Sequence, residues 1–473
     1  MEFRRTTLIW VGGFCFVLGM FLAKFYGWYQ PIWLIALLPL GLSLRSKGLL
    51  SLLAVVLIGL IAGFARADHW RSNLIDIEAL MGSDAVIEGR VATDAVYDDR
   101  GQLEFELDDL SINGAARKGR VRIRTFTQPA IYRYERVQVS GKLRSGFANR
   151  VASLSFAEVE IIGASGSWVE DFRRQYSSAL FSTHTDQQAS LALGILVGQR
   201  TTISEELDDT LRTVGLTHII AVSGYNLTVL VRFTRRQLKF LSKFQSLILS
   251  IILVGVFLSI AGNSASIVRA AWVVGLSLAA GYFGRSIRPI VLLSLSAAAT
   301  GWFDPYYVWF DLGWWLSFTA FFGVLMLAPV LNTRLFGTNK PGFWPELAVE
   351  SLSATVLTAP LILWIFQRVS IVSLLSNMIV VPIVPIIMLL SFVAGGLYIA
   401  SGLSYITKVV TLLSGKLLDG VVLVSETLAK APFAEVSFGI TALQMVFVYG
   451  VIVLSTYILS EKTKDKKAYY ILD

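Results

Sequence analysis

The chain is poor in cysteine, in histidine and in charge. Its one cysteine, Cys15, lies inside an apolar run, which excludes an internal disulfide and a CxxC metal site. His69, His184 and His218 are the only histidines, and they lie far apart in sequence with no HExxH or HxHxDH pattern. No GxxxxGK[ST] occurs, so no P-loop ATPase is encoded. Asp, Glu, Lys and Arg make up 16% of the 473 residues, against about 25% in a soluble domain. Hydrophobic residues reach 55% and mean hydropathy is +0.64. So little charge means that much of the surface faces something other than water. The net charge of +8 suits anionic lipid or nucleic acid and does not choose between them.

Uncharged stretches long enough for a bilayer, about 20 residues each, divide the chain into four parts. Residues 1–65 hold three: Thr6 to Ala23, Phe25 to Leu44 and Gly48 to Ala65. Arg4, Arg5, Arg45 and Lys47 flank this set where Lys24 alone marks the intervening loop, which places the N-terminus inside and the chain beyond residue 65 outside. The first span lacks a small-x-small cleavage site and reads as a retained helix.

Residues 66–165 have no membrane-length run. Alternation predicts strands over Ala85–Ala92, Leu103–Leu107, Arg120–Thr127 and Arg136–Leu143, with a turn at Asn113-Gly114. That pattern fits a small extracytoplasmic β-barrel of the OB-fold kind. Its charges are segregated: eleven acids lie between Asp76 and Asp109, and ten bases between Arg117 and Arg150. In the third strand Val121, Ile123 and Thr125 point inward, so Arg120, Arg122, Arg124 and Phe126 share the outer face. Guanidiniums beside an aromatic ring make a candidate single-strand DNA site, extended by Tyr132, Tyr134, Arg136, Lys142 and Arg144. The alternative is a strand face that is solvated, or docked on the acidic half or on lipid headgroups.

Residues 166–212 read as amphipathic, interfacial helices, with Trp168, Phe172, Tyr176 and Leu180 spaced by four. Residues 213–473 carry the main bundle. The run from Val369 to Thr407 contains Pro382 and Pro385 and predicts a broken or re-entrant helix. The whole reads as a polytopic α-helical membrane protein with about ten to twelve spans, both termini inside.

Polar residues at membrane depth face a bundle interior or an aqueous path, or else hydrogen-bond between helices. His218, Ser223, Tyr225 and Asn226 form such a cluster in GLTHIIAVSGYNLTVL. His218 and Ser223 point about 140° apart on a helix, and AVSGY is not a GxSxG elbow, so the cluster is not read as a hydrolytic site. Asn263 precedes Arg269, which is either a phosphate contact or an interfacial anchor. Asp311 reads as a helix cap. No catalytic residue, cofactor or metal is expected.

Leu191 to Leu230 resembles the signature of the ComEC competence family of DNA-uptake channels, through Gly198-Gln199-Arg200, Ile203-Ser204, Gly215, His218, Ala221 and Ser223-Gly224. Asp304-Pro305, Asp311-Leu312-Gly313 with Leu316-Ser317-Phe318, and PLILWIFQRVSIVSLLSN, ending at Asn377 and including Gln367, resemble its further motifs in order. Tyr225-Asn226 replace the family's usual Leu-His. The resemblance implies an inner-membrane channel for single-stranded DNA in natural transformation, with Arg200, Ser317, Gln367, Asn377, Pro382 and Pro385 joining the lining candidates. Many members continue into a metallo-β-lactamase-like domain, and the expectation here is a variant that lacks it. A small-solute transporter is the alternative function, although it leaves an external barrel with segregated charge unexplained. A potential negative inside opposes an entering anion by about 2.3 kcal/mol per charge per 100 mV. A passive pore therefore needs a separate cytoplasmic motor ATPase. A separate external DNA receptor and, where one strand is degraded, a separate nuclease complete the expected partners.

Overall fold

The structure is a computed structural model that describes residues 3–25, 48–78, 80–97, 102–117, 119–126, 131–145, 152–163, 168–220, 227, 231, 242–262, 265–285, 288–337, 339 and 341–463. Among these, seven helices are long and apolar enough to cross a membrane. They are Arg5–Leu22, Leu49–Arg71, Lys243–Ala261, Leu312–Phe336, Phe343–Phe366, Val384–Ser401 and Ala442–Leu459, and two shorter apolar helices cover Ser266–Tyr282 and Pro289–Phe303. The fold is that of a polytopic membrane protein carrying a small β-barrel. The expected second span, and most of the expected span over 213–231, lie outside the described residues.

The chain forms two compact units. The first comprises residues 1–173 and 294–314. Its helices Arg5–Leu22 and Leu49–Glu78 approach so closely that a Cβ on Gly19 or Gly63 would overlap the backbone carbonyls of Leu60 and Phe16. In lipid, where helices gain nothing from hiding apolar surface, such small-residue contacts give the van der Waals contact that holds helices together. Trp309 Nε1 donates to Met20 O (2.7 Å) and Arg66 Nε to Trp302 O (2.9 Å), fixing the 294–314 segment on this pair.

The barrel follows. Strands β1 (Asp84–Val91), β2 (Val96–Tyr97), β3 (Leu103–Ile112), β4 (Ala115–Arg117), β5 (Val121–Thr125), β6 (Arg136–Ser145), β7 (Ala152–Ser155) and β8 (Glu158–Gly163) form one sheet. β1, β3, β5, β7 and β6 pair in that order, and β6 returns to β1, closing a five-stranded ring whose β5–β7 pair is parallel. This is the OB-type order expected from the sequence. Ile87, Phe105, Leu107, Val121, Ile123, Val139, Leu143 and Leu154 fill the ring at 1% exposure or less, so the period-2 pattern does specify the core. Asn113 and Gly114 both have positive φ (50° and 82°) and join β3 to β4, the two-residue hairpin turn that their side chains favour.

The second unit comprises residues 174–293 and 315–473. Asp186–Val197 starts with a Thr185–Gln188 capping box and ends at Gly198 in the left-handed region. Residues 189–197 are all buried, so this helix is internal to its unit, whereas an interfacial position was expected for the segment. A π-turn at Gly323–Leu327 interrupts the helix over Leu312–Phe336, with Gly323 packed on the carbonyl of Ser353. The expected break at the prolines is present: Ser373–Val380 and Val384–Ser401 are separate helices, with Pro385 in the first turn of the second.

Candidate functional site

In the second unit the chain reverses at Gly215, whose φ is +76°. The reversal sets Val214–Ile220 against Ser373–Val380: Ser376 Oγ donates to Val214 O at 2.6 Å, and a Cβ on Gly215 would lie 2.6 Å from Ser373 Cβ. Two motifs more than 150 residues apart in sequence therefore meet at one point. His218 follows on a single helical turn, Thr217–Ile220, with Nδ1 3.0 Å from Gly215 O. The residue keeps an exposed surface. Nearby in sequence to Ser376, Asn377 Oδ1 and Ser370 Oγ are buried without hydrogen-bond partners among the described residues. Buried polar atoms are nearly always paired, so unpaired ones mark a place for water or a ligand.

Arg269 repeats the pattern. It lies on Ala265–Tyr282 with its guanidinium 5.6 and 5.3 Å from the ring centroids of Phe318 and Phe321, one turn before the π-turn. It forms no ion pair among the described residues, and its Nε has no hydrogen-bond partner. Ser317 is half-buried on the Leu312–Phe322 helix. Pro382 lies in the turn between the two halves of the broken helix.

Other lining candidates are placed differently. Arg200 Nη2 donates to Asp208 Oδ1 at 2.7 Å, bracing the loop before Glu205–Thr213. Gln367 is an exposed helix C-cap in the left-handed region (φ 56°), at the end of Phe343–Phe366, so it terminates a helix where a lining position was expected. Asp311 belongs to the first unit. Its Oδ1 accepts from Trp314 N at 2.8 Å, the capping role read from sequence, and burial pushes its carboxyl up. Ser223, Tyr225, Asn226 and Asn263 lie outside the described residues.

Two sites were not expected. His184 bridges Thr183 Oγ1 (2.9 Å) and Ser414 Oγ (2.7 Å), and burial lowers its pKa. Arg173 is buried against Asp94 (2.9 Å) and Glu170 (3.2 Å). Thr183 and Glu170 are local neighbours, but Ser414 and Asp94 are brought in by long-range packing, beyond the reach of local spacing.

On the barrel, alternation is as expected, with Val121, Ile123 and Thr125 fully buried. The shared open face of arginines is not. Antiparallel β3–β5 pairing sets the acidic strand beside the basic one: Arg122 and Arg124 both reach Glu104, at 3.0 and 2.8 Å. Arg90 pairs with Asp108 and Arg136 with Asp109, each at 3.0 Å. Arg120 departs furthest. It sits 5.1 Å from the Tyr306 ring centroid and 3.8 Å from Glu106. Burial alone would lower its pKa, but Tyr307, Glu106, Tyr306 and Asp304 raise it. Its partner Tyr307 is itself pushed up to about 12, chiefly by burial. Arg120 is thus a half-buried anchor of the barrel to the 304–311 segment, where a DNA contact was expected. Tyr134 takes a positive φ of 67° and receives a hydrogen bond from Arg133 Nη2 (2.9 Å). Phe126, Tyr132, Lys142 and Arg144 are exposed. No group of three His, Cys, Asp or Glu side chains able to hold a metal occurs among the described residues.

Residues 195–463 match the family model described as Competence protein. A curated protein, ComE operon protein 3 of Bacillus subtilis (strain 168), is 25% identical over 239 residues, which is 50% of this chain and 30% of that protein. The match thus takes in under a third of the relative's length. No solved structure matches.

Proposed function

The chain belongs to the competence protein family, and from that premise we propose that it is a channel through which single-stranded DNA enters the cytoplasm. The observation that carries this reading is the meeting of the Gly215–His218 turn with the broken helix at Ser373–Asn377. There and at Arg269, buried polar atoms without hydrogen-bond partners among the described residues (Ser370 Oγ, Asn377 Oδ1 and Arg269 Nε) lie in a bundle otherwise fit for lipid. On this reading His218, Asn377 and Arg269 face the passing strand. The amide of Asn377 presents either donor or acceptor by rotating, and Arg269 pairs with phosphate.

The chain supplies the path. The work against the membrane potential, about 2.3 kcal/mol per nucleotide at 100 mV, falls to a separate cytoplasmic motor, and strand degradation to a separate nuclease. Deleting the gene is expected to abolish transformation and to leave labelled donor DNA sensitive to added nuclease; expression from a plasmid restores both. Normal accumulation of nuclease-resistant DNA in the deletion strain would refute the reading.

The same reading puts residues 66–165 outside, following the lysines and arginines. Ser111 lies on the partly exposed outer side of β3. A Ser111→Cys change in a Cys15→Ser background is expected to react with an impermeant maleimide in intact cells. Reaction only after lysis reverses the orientation.

A further inference from the structure

Phe156 joins β7 to β8 with a positive φ of 60°. A bulky L-residue is an outlier there, and glycine would hold the same turn without the steric cost. Burial does not compensate. The side chain is 67% exposed, and its ring lies 5.7 Å from that of Phe126, itself 56% exposed. Backbone strain that serves no packing marks a functional position.

Strand register builds a surface that leads to this pair. Arg122 lies opposite Ser153, Ser153 opposite Arg144, and Arg124 opposite Ser155. Their neighbours Val121, Ile123, Leu143, Ala152 and Leu154 fill the core, so these five residues share the outer face of β5, β7 and β6. Two serines between arginines leave a shallow groove that ends at the rings. Arg122 and Arg124 divide the single carboxylate of Glu104. Arg144 is exposed and enters no ion pair among the described residues. The groove is therefore net positive. OB-folds generally bind oligonucleotides over their second and third strands. Here the second, β3, carries Glu104, Glu106 and Asp108, which repel phosphate and shift the favourable surface toward β7 and β6.

We propose that the Ser153–Ser155 groove and the Phe126–Phe156 pair bind one segment of single-stranded nucleic acid, with phosphates between the arginines and bases stacked on the rings. This rests on the DNA-uptake reading and names where the strand is first held. Exposed rings select unpaired bases, because a duplex hides its base faces. Lipid is the wrong occupant. Arg120, at the near end of β5, is docked beside Tyr306 just past the Pro289–Phe303 helix. Six residues of extended chain carry Phe126 about 20 Å from that anchor.

The test uses the full chain in nanodiscs of neutral lipid, titrated with a fluorescent oligothymidylate at several salt concentrations. Phe156→Gly removes the ring and relieves the strain together. Its affinity is expected to fall roughly 5- to 150-fold, with an unchanged or higher melting temperature. Phe126→Ala should fall similarly. Arg144→Ala should flatten the salt dependence by about 0.7 in slope. Variants that bind like wild type would move the site elsewhere and leave the channel reading intact. A Phe156→Gly protein that melts earlier would make the ring a packing element. Equal affinity for duplex, or no oligonucleotide binding by wild type, would also overturn the site. Vesicle binding that depends on the two rings would assign them to lipid instead. The gene-deletion assay tests the channel reading independently of all these outcomes.

Discussion

Replacing Arg269 with alanine is expected to lower DNA entry about 10- to 150-fold while the protein reaches the membrane in normal amount and melts at the same or a higher temperature. The expectation follows from what holds the charge. Arg269 is the fifth residue of Ala265–Tyr282, so its cost lies below the figure of about 2.5–3.5 kcal/mol that insertion scales give an arginine at a helix centre. Cation–π contacts with the Phe318 and Phe321 rings return about 0.5–2 kcal/mol each. No carboxylate offsets the remainder among the described residues. Alanine removes that residual cost, so a purely structural reading gives no reason for the charge. A phosphate of the passing strand does, because a charge-assisted hydrogen bond contributes about 1.5–3 kcal/mol, the source of the expected fold-change. Arg269→Lys keeps the charge and loses the planar stacking, so entry should be intermediate. Nuclease-resistant donor DNA in the cytoplasm, immunoblots of membranes and melting of the purified variant are the three measurements. Wild-type entry in Arg269→Ala would make the residue an anchor. Loss of protein in proportion to entry would make it part of the fold.

The β-barrel was legible because its core obeys one local rule. Buried residues alternate along β1 and β5, and along β3 on either side of Asp109, and Asn113-Gly114 has one favoured turn. β7 escaped notice because ASLS offers only Ala152 and Leu154 to the core, too little to distinguish a strand from a loop. Charge was legible as composition and misleading as surface. Eleven acids followed by ten bases read as a basic half, yet strands adjacent in sequence are commonly adjacent in a sheet. Consecutive acidic and basic strands neutralise each other once β3 meets β5. Arg120 could not be placed from sequence because its partners Tyr306, Tyr307 and Asp304 lie more than 180 residues away. The membrane bundle divides in the same way. Spans and the proline break follow from composition. The π-turn at Gly323 and the burial of Ala189–Val197 depend on which helices surround them. His218 was singled out as a polar residue in an apolar run, Arg269 as a phosphate contact or an anchor, and Asn377 through the resemblance; that Arg269 Nε and Asn377 Oδ1 lack hydrogen-bond partners among the described residues is a property only coordinates reveal.

Gly215→Val is expected to destabilise the folded protein by about 2–5 kcal/mol, through two separable terms. The first is conformational. Gly215 holds a φ of +76°, where an L-residue costs roughly 1–2 kcal/mol and a β-branched one the most. The second is steric. A Cβ at this position would lie 2.6 Å from Ser373 Cβ, and forcing extra atoms into a packed contact costs roughly 1–3 kcal/mol. The contact cannot open cheaply, since Ser376 Oγ holds Val214 O at 2.6 Å on the same helix. Ser373→Gly removes the opposing Cβ without touching the backbone of residue 215. In the double variant the steric term should be recovered and the conformational term retained, giving a coupling of about 1–3 kcal/mol in a double-mutant cycle. Gly215→Ala should fall between wild type and Gly215→Val. Melting of the detergent-solubilised proteins and their abundance in membranes measure all four. Additive losses in the double variant would mean that Gly215 and Ser373 do not meet. A Gly215→Val protein as stable as wild type would remove the left-handed turn itself, and with it the contact that brings His218 to the broken helix.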